Sequence, residues 1–443
     1  MHARAEFLVH FLKNAGKPRF FYGWYIVLCG FLAQSMRVGL GLQTFGFFFK
    51  FMSEELGWTR AMLTGGLMTN NIIGAVLGPA IGFTVDRYGP RLLMAGSAGM
   101  LSVSLLLLSQ THSLWQFYLF YGVVGAFGLS ATTFGGLNPT IAKWFVRKRG
   151  RATGIATAGV NVGGVVLTPV ILFLISHYGW RAAWMVLALL PWPFVVLPSL
   201  LWLRRQPEDM GLRPDGDEAM VAPAGAPATD VLSVNPWPGI AEEVSWTAPA
   251  AFRTRALWLL LAAEFFSGMA VSGGIVHRIP YMTDQGFSNA VAATTFVIYS
   301  VFAFFSKLIL GSLTDRYSVR HLTIAIMLGS ALGLFCLIGA KSVWQLYLGY
   351  GVVYGIAGGA QNTLPGLIWP TYYGRQFLGA IKGLTSPFGR AAGIGGPMFA
   401  AFIYDGAESY ELAFVVFVGC FVAAALLIGL ARRPVPEGPM RAA

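Results

Sequence analysis

Four basic side chains, Arg37, Arg278, Lys307 and Arg390, and one acid, Glu264, stand inside long apolar stretches of this chain of 443 residues. A charge at that depth in an apolar surrounding is costly and normally faces a cavity or a partner. Four bases against one acid leave an excess of three positive charges with histidine neutral, and such an excess calls for an anion. His277 adjoins Arg278. Its imidazole titrates near neutral pH, so it could couple a proton to anion binding. The six histidines are scattered and supply neither a nucleophile–base pair nor a metal cluster. No Walker A sequence occurs, which argues against an ATP-driven pump. An enzyme, a metal site and a cofactor are therefore not expected.

The elements that must carry these residues follow from composition. Hydrophobic residues make up 56% of the chain and charged residues 11%, against about 25% charged in soluble domains. Mean hydropathy is +0.62. A single soluble core stops growing near about 250–300 residues, so this much apolar surface excludes a cytosolic enzyme, a disordered chain and a secreted disulfide scaffold. A polytopic all-α membrane protein remains, and the 55 glycines suit the close helix contacts of such bundles. The net charge of +12 is read from its placement along the spans, not as a nucleic-acid surface. Cys29, Cys336 and Cys420 lie in apolar segments and read as small packing residues. The apolar stretch from Phe20 is too long for a signal h-region and has no A-x-A site, so no cleavable signal is expected.

A transmembrane helix needs about 20 mostly apolar residues. Twelve segments qualify, numbered helices 1 to 12: 22–49, 61–85, 92–110, 113–142, 152–180, 182–203, 256–283, 289–314, 322–340, 342–374, 377–404 and 412–431. Of the 31 Lys and Arg residues, 23 fall in the N-terminal segment, the even-to-odd connections and the C-terminal segment, Lys382 counted among them; four fall in the odd-to-even connections. The positive-inside rule then puts both termini in the cytoplasm. The chain also repeats at an offset of 229. Ser113–Val124 matches Ser342–Val353 at nine of twelve positions; Gly82, Asp86, Arg87, Tyr88 and Arg91 fall on Gly311, Asp315, Arg316, Tyr317 and Arg320; Gly150 and Gly154 fall on Gly379 and Gly383. The expected plan is two pseudo-symmetric six-helix halves, 22–203 and 256–431, enclosing a site near the midplane. Residues 1–21 and 432–443 are the expected cytoplasmic ends, and 204–255 a largely flexible cytoplasmic linker with a short surface helix over 245–255.

Gly82-Phe-Thr-Val-Asp86-Arg87-Tyr-Gly89-Pro-Arg91 closely resembles the G-x-x-x-D-R-x-G-x-R loop of the major facilitator superfamily, and Asp315-Arg316 is a weaker second copy. Within it, four stretches are similar to the monocarboxylate-transporter and oxalate:formate-antiporter branch, in its bacterial form: Phe21-Tyr-Gly-Trp24, Trp144–Gly154 with Ala158–Gly163, Arg205–Gly216, and His277–Asp284. The resemblance implies a twelve-helix major facilitator fold. It also implies a secondary carrier of small organic anions, by proton symport or anion exchange, in the plasma (bacterial inner) membrane. The partners implied are the anion, protons or a counter-anion, and lipid, with a monomer expected and no nucleic acid. A carrier of drugs or other amphiphiles, and a transport-dead sensor on the same scaffold, are the competing readings. Gly82, Asp86, Arg87, Gly89, Arg91, Asp315 and Arg316 are expected to form a charge network that locks one access state.

Each candidate site residue has two readings. Lys307 resembles, in its spacing to Gly311 and Asp315, a substrate-binding arginine of the branch. It could instead pair with Glu264, since both lie about 12 Å from the same end of their helices. Arg390 lies about 20 Å into helix 11, near a functional lysine of the antiporters. It shares a face with Lys382 and Ser386; the alternative is snorkelling to an interface. Arg37 is a second anion contact or a hydrogen-bond partner of Asn70 and Asn71. His277 resembles a substrate-facing histidine of bacterial monocarboxylate carriers, and with Glu264 is a candidate for proton coupling; the alternative is an interfacial pair with Arg278 in contact with water. Arg278 contacts substrate or sits at the interface. Tyr118, Tyr121, Asn138, Asn161, Tyr354, Gln361 and Asn362 either complete the site or pack.

Overall fold

The computed structural model describes residues 21–38, 48, 51–132, 134–216, 245–361 and 363–434. Helices α1 (Gly23–Val38), α2 (Arg60–Tyr88) and α3 (Arg91–Ser109) lead into α4, which runs through Leu114–Phe117, Tyr118–Val124, Gly125–Thr132 and Phe134–Trp144. Arg149–Leu189 is continuous in hydrogen bonding but breaks at Gly179, whose φ of 80° a β-carbon would strain. The part before the break is α5. The part after it, with Trp192–Val196 and Leu197–Trp202, is α6. In the second half α7 (Arg255–Asp284), α8 (Asn289–Leu313) and α9 (Val319–Ile338) precede α10, built of Val343–Gln345, Leu346–Tyr354, Gly355–Ala360 and Leu364–Tyr373; α11 (Leu378–Ala407) and α12 (Glu411–Leu430) follow. Among the described residues there is no strand.

Local chemistry starts these helices. Thr59, Thr254 and Ser288 accept hydrogen bonds from the amides of Met62, Leu257 and Val291, three orphan first-turn donors. Ser342 and Gln345 form a full capping box on α10, and Gln116 makes the matching return bond to the Ser113 amide on α4. The duplication extends to irregularity: π-helical turns fall at Tyr118–Val124 and Leu346–Tyr354. In α4 the Phe120 and Tyr121 carbonyls at this turn take hydrogen bonds from Ser104 Oγ (2.7 Å) and Asn70 Nδ2 (2.9 Å).

The buried apolar residues form two main clusters. One draws on residues between Ile26 and Leu203, the other almost wholly on residues between Trp246 and Ala431. Between them α2 lies on α11 and α5 on α8, at backbone contact. A Cβ on Gly82 would lie 2.1 Å from the Gly379 carbonyl oxygen, and one on Gly150 2.1 Å from that of Gly311. These two contacts are images of each other at offset 229, so one pseudo-twofold relates both seams. They occupy the end of the bundle that carries the α2–α3 turn and residues 204–216, here called the linker end.

The described start of the linker is folded, contrary to the flexible stretch expected. Asp215 accepts hydrogen bonds from the amides of Val146 (3.0 Å), Arg147 (2.8 Å) and Lys148 (3.0 Å), fixing 204–216 to the α4–α5 turn. Within the stretch expected as a surface helix over 245–255, Ala248–Phe252 alone is helical ahead of α7, and Trp246, Ala248 and Ala251 are buried in the core of the second half. At the opposite end Trp180 Nε1 donates to Glu55 (2.6 Å) and Arg181 pairs with the same carboxylate, whose pKa is thereby held below its ordinary value.

Two glycine substitutions separate packing within a half from contact between halves. A Cβ on Gly159 would lie 2.1 Å from the Phe31 carbonyl oxygen, inside the first half. Gly159→Val is expected to cost about 1–3 kcal/mol and lower the melting temperature in detergent. Gly82→Val is relieved by parting the halves. It should leave melting nearly unchanged and raise linker-end labelling of a cysteine introduced at Thr157.

Candidate substrate site and gate

Three of the predicted bases converge midway along the bundle, from α1, α8 and α11. Lys307 is buried, 5% exposed, on α8. Its Nζ donates to Asn161 Oδ1 and lies 3.4 Å from the Thr157 carbonyl oxygen, both on α5. Asn161 is held in turn by donating to the Ser300 carbonyl on α8 (3.3 Å), and Thr157 Oγ1 meets Thr363 Oγ1 at 2.9 Å. Arg390 on α11 points at the other half: Nη2 lies 3.4 Å from Ser130 Oγ, and a Cβ on Gly74 of α2 would lie 2.2 Å from Nη1. Arg37 is close enough to both Lys307 and Arg390 for mutual repulsion. The cluster thus straddles the halves. Arg390 does not snorkel to an interface.

Several expectations are corrected. Glu264 does not pair with Lys307. Both its oxygens accept from Lys382 Nζ at 2.9 Å, and that ammonium also lies 4.5 Å from the Trp369 ring centroid. Lys382 was counted with the cytoplasmic loop residues but sits inside α11. With Glu264 committed to Lys382, Lys307 and Arg390 are left with neutral hydrogen-bond partners. Arg278 is not interfacial: it is 4% exposed, with its guanidinium 4.6 Å from the Phe296 centroid and 5.0 Å from that of Tyr299.

The remaining candidates separate from the cluster. His277 Nε2 contacts the Pro397 carbonyl at 3.1 Å and its ring packs on Tyr410, so it joins α7 to α11 away from Lys307. Tyr354 stacks on Tyr350 at 4.9 Å beside Arg278. Gln361 donates to Ser330 (2.5 Å), Tyr118 donates to the Met62 carbonyl, and Tyr121 stacks on Phe117. Asn138 Oδ1 is buried with no partner among the described residues. Asn362 lies outside the described residues.

At the linker end the two D-R copies do the same job on opposite seams. Asp86 of α2 accepts from the Ala380 amide at the start of α11 (2.7 Å), and Asp315 after α8 accepts from the Gly150 amide at the start of α5 (2.9 Å). Each carboxylate meets a helix N-terminus of the other half, where unpaired amides and the helix dipole favour an anion. Burial pushes the Asp315 pKa up. The expected network with Arg87 and Arg91 is replaced: the ion-pair partner of Asp86 is Lys143, at 2.9 Å, while Arg87 lies over the Tyr88 ring and Arg91 is exposed. Gly89 ends α2 with φ 84°, and Arg316 is exposed. Arg375 extends the seal by donating to the Lys143 carbonyl (2.7 Å) and pairing with Glu208 (2.9 Å). Lys143, Arg375 and Glu208 were missed at this seal; their only sequence signal was a place in or beside the basic connections of the same bundle end.

Two helical bundles sealed at one end around a mid-depth cluster define a multi-pass membrane transporter. The Major Facilitator Superfamily model matches residues 26–297 and again 278–442, and the chain belongs to that superfamily. Monocarboxylate transporter 11 of Mus musculus is 24% identical over 426 residues, covering 91% of this chain and 86% of that protein. The human organic anion transporter MFSD10 superposes with a TM-score of 0.64 at 16% identity, covering 92% of this chain and 98% of that one. The proton:xylose symporter XylE does so at 0.67 and 14%, covering 93% and 95%. The fold is the twelve-helix, two-half major facilitator fold, and fold and relatives are those of transporters, not enzymes.

The Glu264–Lys382 pair is partly exposed. Glu264→Gln is expected to cost about 1–2 kcal/mol, between exposed and fully buried pairs. The double change Glu264→Gln with Lys382→Met should recover most of it. Equal melting temperatures for all three proteins would remove any role for the pair in stability.

Proposed function

We propose that this chain moves small organic anions, monocarboxylates and related carboxylates, across the plasma membrane by alternating access. The observation that carries this reading is the meeting of Lys307 and Arg390, with Arg37 beside them, where the hydrogen-bond partners of Lys307 and Arg390 among the described residues are neutral. Like charges gathered in a low-dielectric bundle repel, and a carboxylate is the group that relieves them. A carrier of sugars or bulk cations has no use for that excess. Similarity to monocarboxylate transporters supports the same class.

The linker end is read as cytoplasmic because it carries most of the basic connections, which puts both termini in the cytoplasm and suits a bacterial inner membrane. Both halves of the site come from one chain, so a monomer suffices. The bound carboxylate would bridge α1, α8 and α11, drawing the halves together before the linker end opens. Proton symport and anion exchange are the two driving modes. His277 and Glu264 are the titratable groups available to the first.

Uptake of lactate, pyruvate, formate, oxalate and larger aromatic acids into proteoliposomes, with and without a pH gradient, tests the class and the mode together. Uptake of none of these acids overturns the reading. Lys307→Ala should abolish uptake with normal membrane insertion, and Lys307→Arg should retain some, since it keeps the charge and offers a fork. Arg390→Gln should weaken every carboxylate, by about 1.5–3 kcal/mol in competition assays. Loss for dicarboxylates alone would mean that Arg390 serves a second acceptor group.

A further inference from the structure

Of the four bases expected within the spans, Arg278 is the one that the central cluster does not use. It is buried on α7, and its Nε and Nη1 have no hydrogen-bond partner among the described residues. Phe296 and Tyr299 of α8 present ring faces to the guanidinium at 4.6 and 5.0 Å. Tyr299 stacks with Tyr354 (5.8 Å), and Tyr354 with Tyr350 (4.9 Å), whose hydroxyl lies beside the guanidinium. Ring faces stabilise a cation but bring no counter-charge and accept none of its directed hydrogen bonds. Burying a guanidinium with two donors unused is costly, and an apolar residue would fill the same space without that cost.

From this geometry we infer that Arg278, with the Tyr350 hydroxyl, is a second carboxylate-binding site, separate from the central cluster and lying toward the bundle end opposite the linker. The two unused donors suit a carboxylate oxygen pair, and the tyrosine stack suits an apolar or aromatic acid body. Tyr299, Ala303 and Lys307 are spaced i, i+4, i+8 on α8, so the cage and the central lysine share one helix face about 12 Å apart. Of the cage residues, those on α8 are the least covered, Phe296 being 36% exposed and Tyr299 half-buried. An anion arriving from the end away from the sealed seams meets Arg278 before Lys307. The site rests on the carboxylate reading above, but not on Lys307 being its anchor.

Equilibrium binding of radiolabelled benzoate to the full chain in lipid nanodiscs tests it. Wild type should bind two equivalents. Arg278→Gln should bind one, at the central affinity, and Lys307→Ala with Arg390→Gln should bind one, at the outer affinity. Arg278→Lys keeps the charge but not the fork, and should weaken the outer equivalent about tenfold or more. If Arg278→Gln fails to give monodisperse protein, Tyr350→Phe keeps the ring stack and should weaken the same equivalent alone. One equivalent in wild type, lost with Lys307 and Arg390 and untouched by Arg278→Lys or Tyr350→Phe, overturns the second site and leaves the central one standing. No binding in wild type overturns both.

Discussion

Positive charge without a matching acid, inside an apolar bundle, is the constraint on which the interior depends. A lone cation taken out of water is expensive, and a protein holds it there only with partners or a use. Here the partners differ from base to base. Lys382 has the carboxylate of Glu264, Lys143 has that of Asp86, Lys307 has an amide oxygen and a carbonyl, and Arg278 has ring faces. The acids are spent toward the linker end and on α7. The middle of the bundle keeps its excess, which is what the proposed anionic substrate would neutralise.

The same economy of charge shapes the linker end. Asp86 and Asp315 place carboxylates on amides that begin helices of the opposite half. A carboxylate on a helix N-terminus needs no long basic side chain, so the seal forms at backbone distance, where the glycine pairs of α2–α11 and α5–α8 allow it. Parting the seams exposes both carboxylates and both helix starts to water, which solvates them well. The seal is therefore strong in geometry yet moderate in free energy, which is compatible with alternating access as proposed.

Much of the scaffold was legible in the sequence. Apolar run length gave the helices, and the offset of 229 gave the two halves together with the matched D-R copies and glycines. The depths of Lys307 and Arg390 were legible because rise per residue is fixed. Partners were not, because run length carries no helix rotation. Lys307 and Glu264 lie at equal depth, yet α8 turns the lysine to α5 and α7 turns the glutamate to α11. Lys382 was misplaced because a base near the start of a span reads as a loop residue. Arg278 was misread because its closeness to a span end does not say whether it faces lipid or the bundle.

The pseudo-twofold also explains why the charge is uneven. At offset 229 Lys307 corresponds to Gly78 and Arg390 to Asn161. Lys307 bonds Asn161 across the α5–α8 seam. Across the α2–α11 seam Arg390 packs on Gly74, while Ser386, one turn before it on α11, abuts Gly78. Each seam therefore has one long base on the second half facing a small or neutral residue on the first. Bases on both sides of one seam would repel at contact distance and force the halves apart. Small residues on both sides would leave no charge to grip an anion. Placing both bases on one half satisfies the two demands together, and it lets the seams stay closely packed around an interior that keeps the positive charge on which the anion-carrier proposal rests.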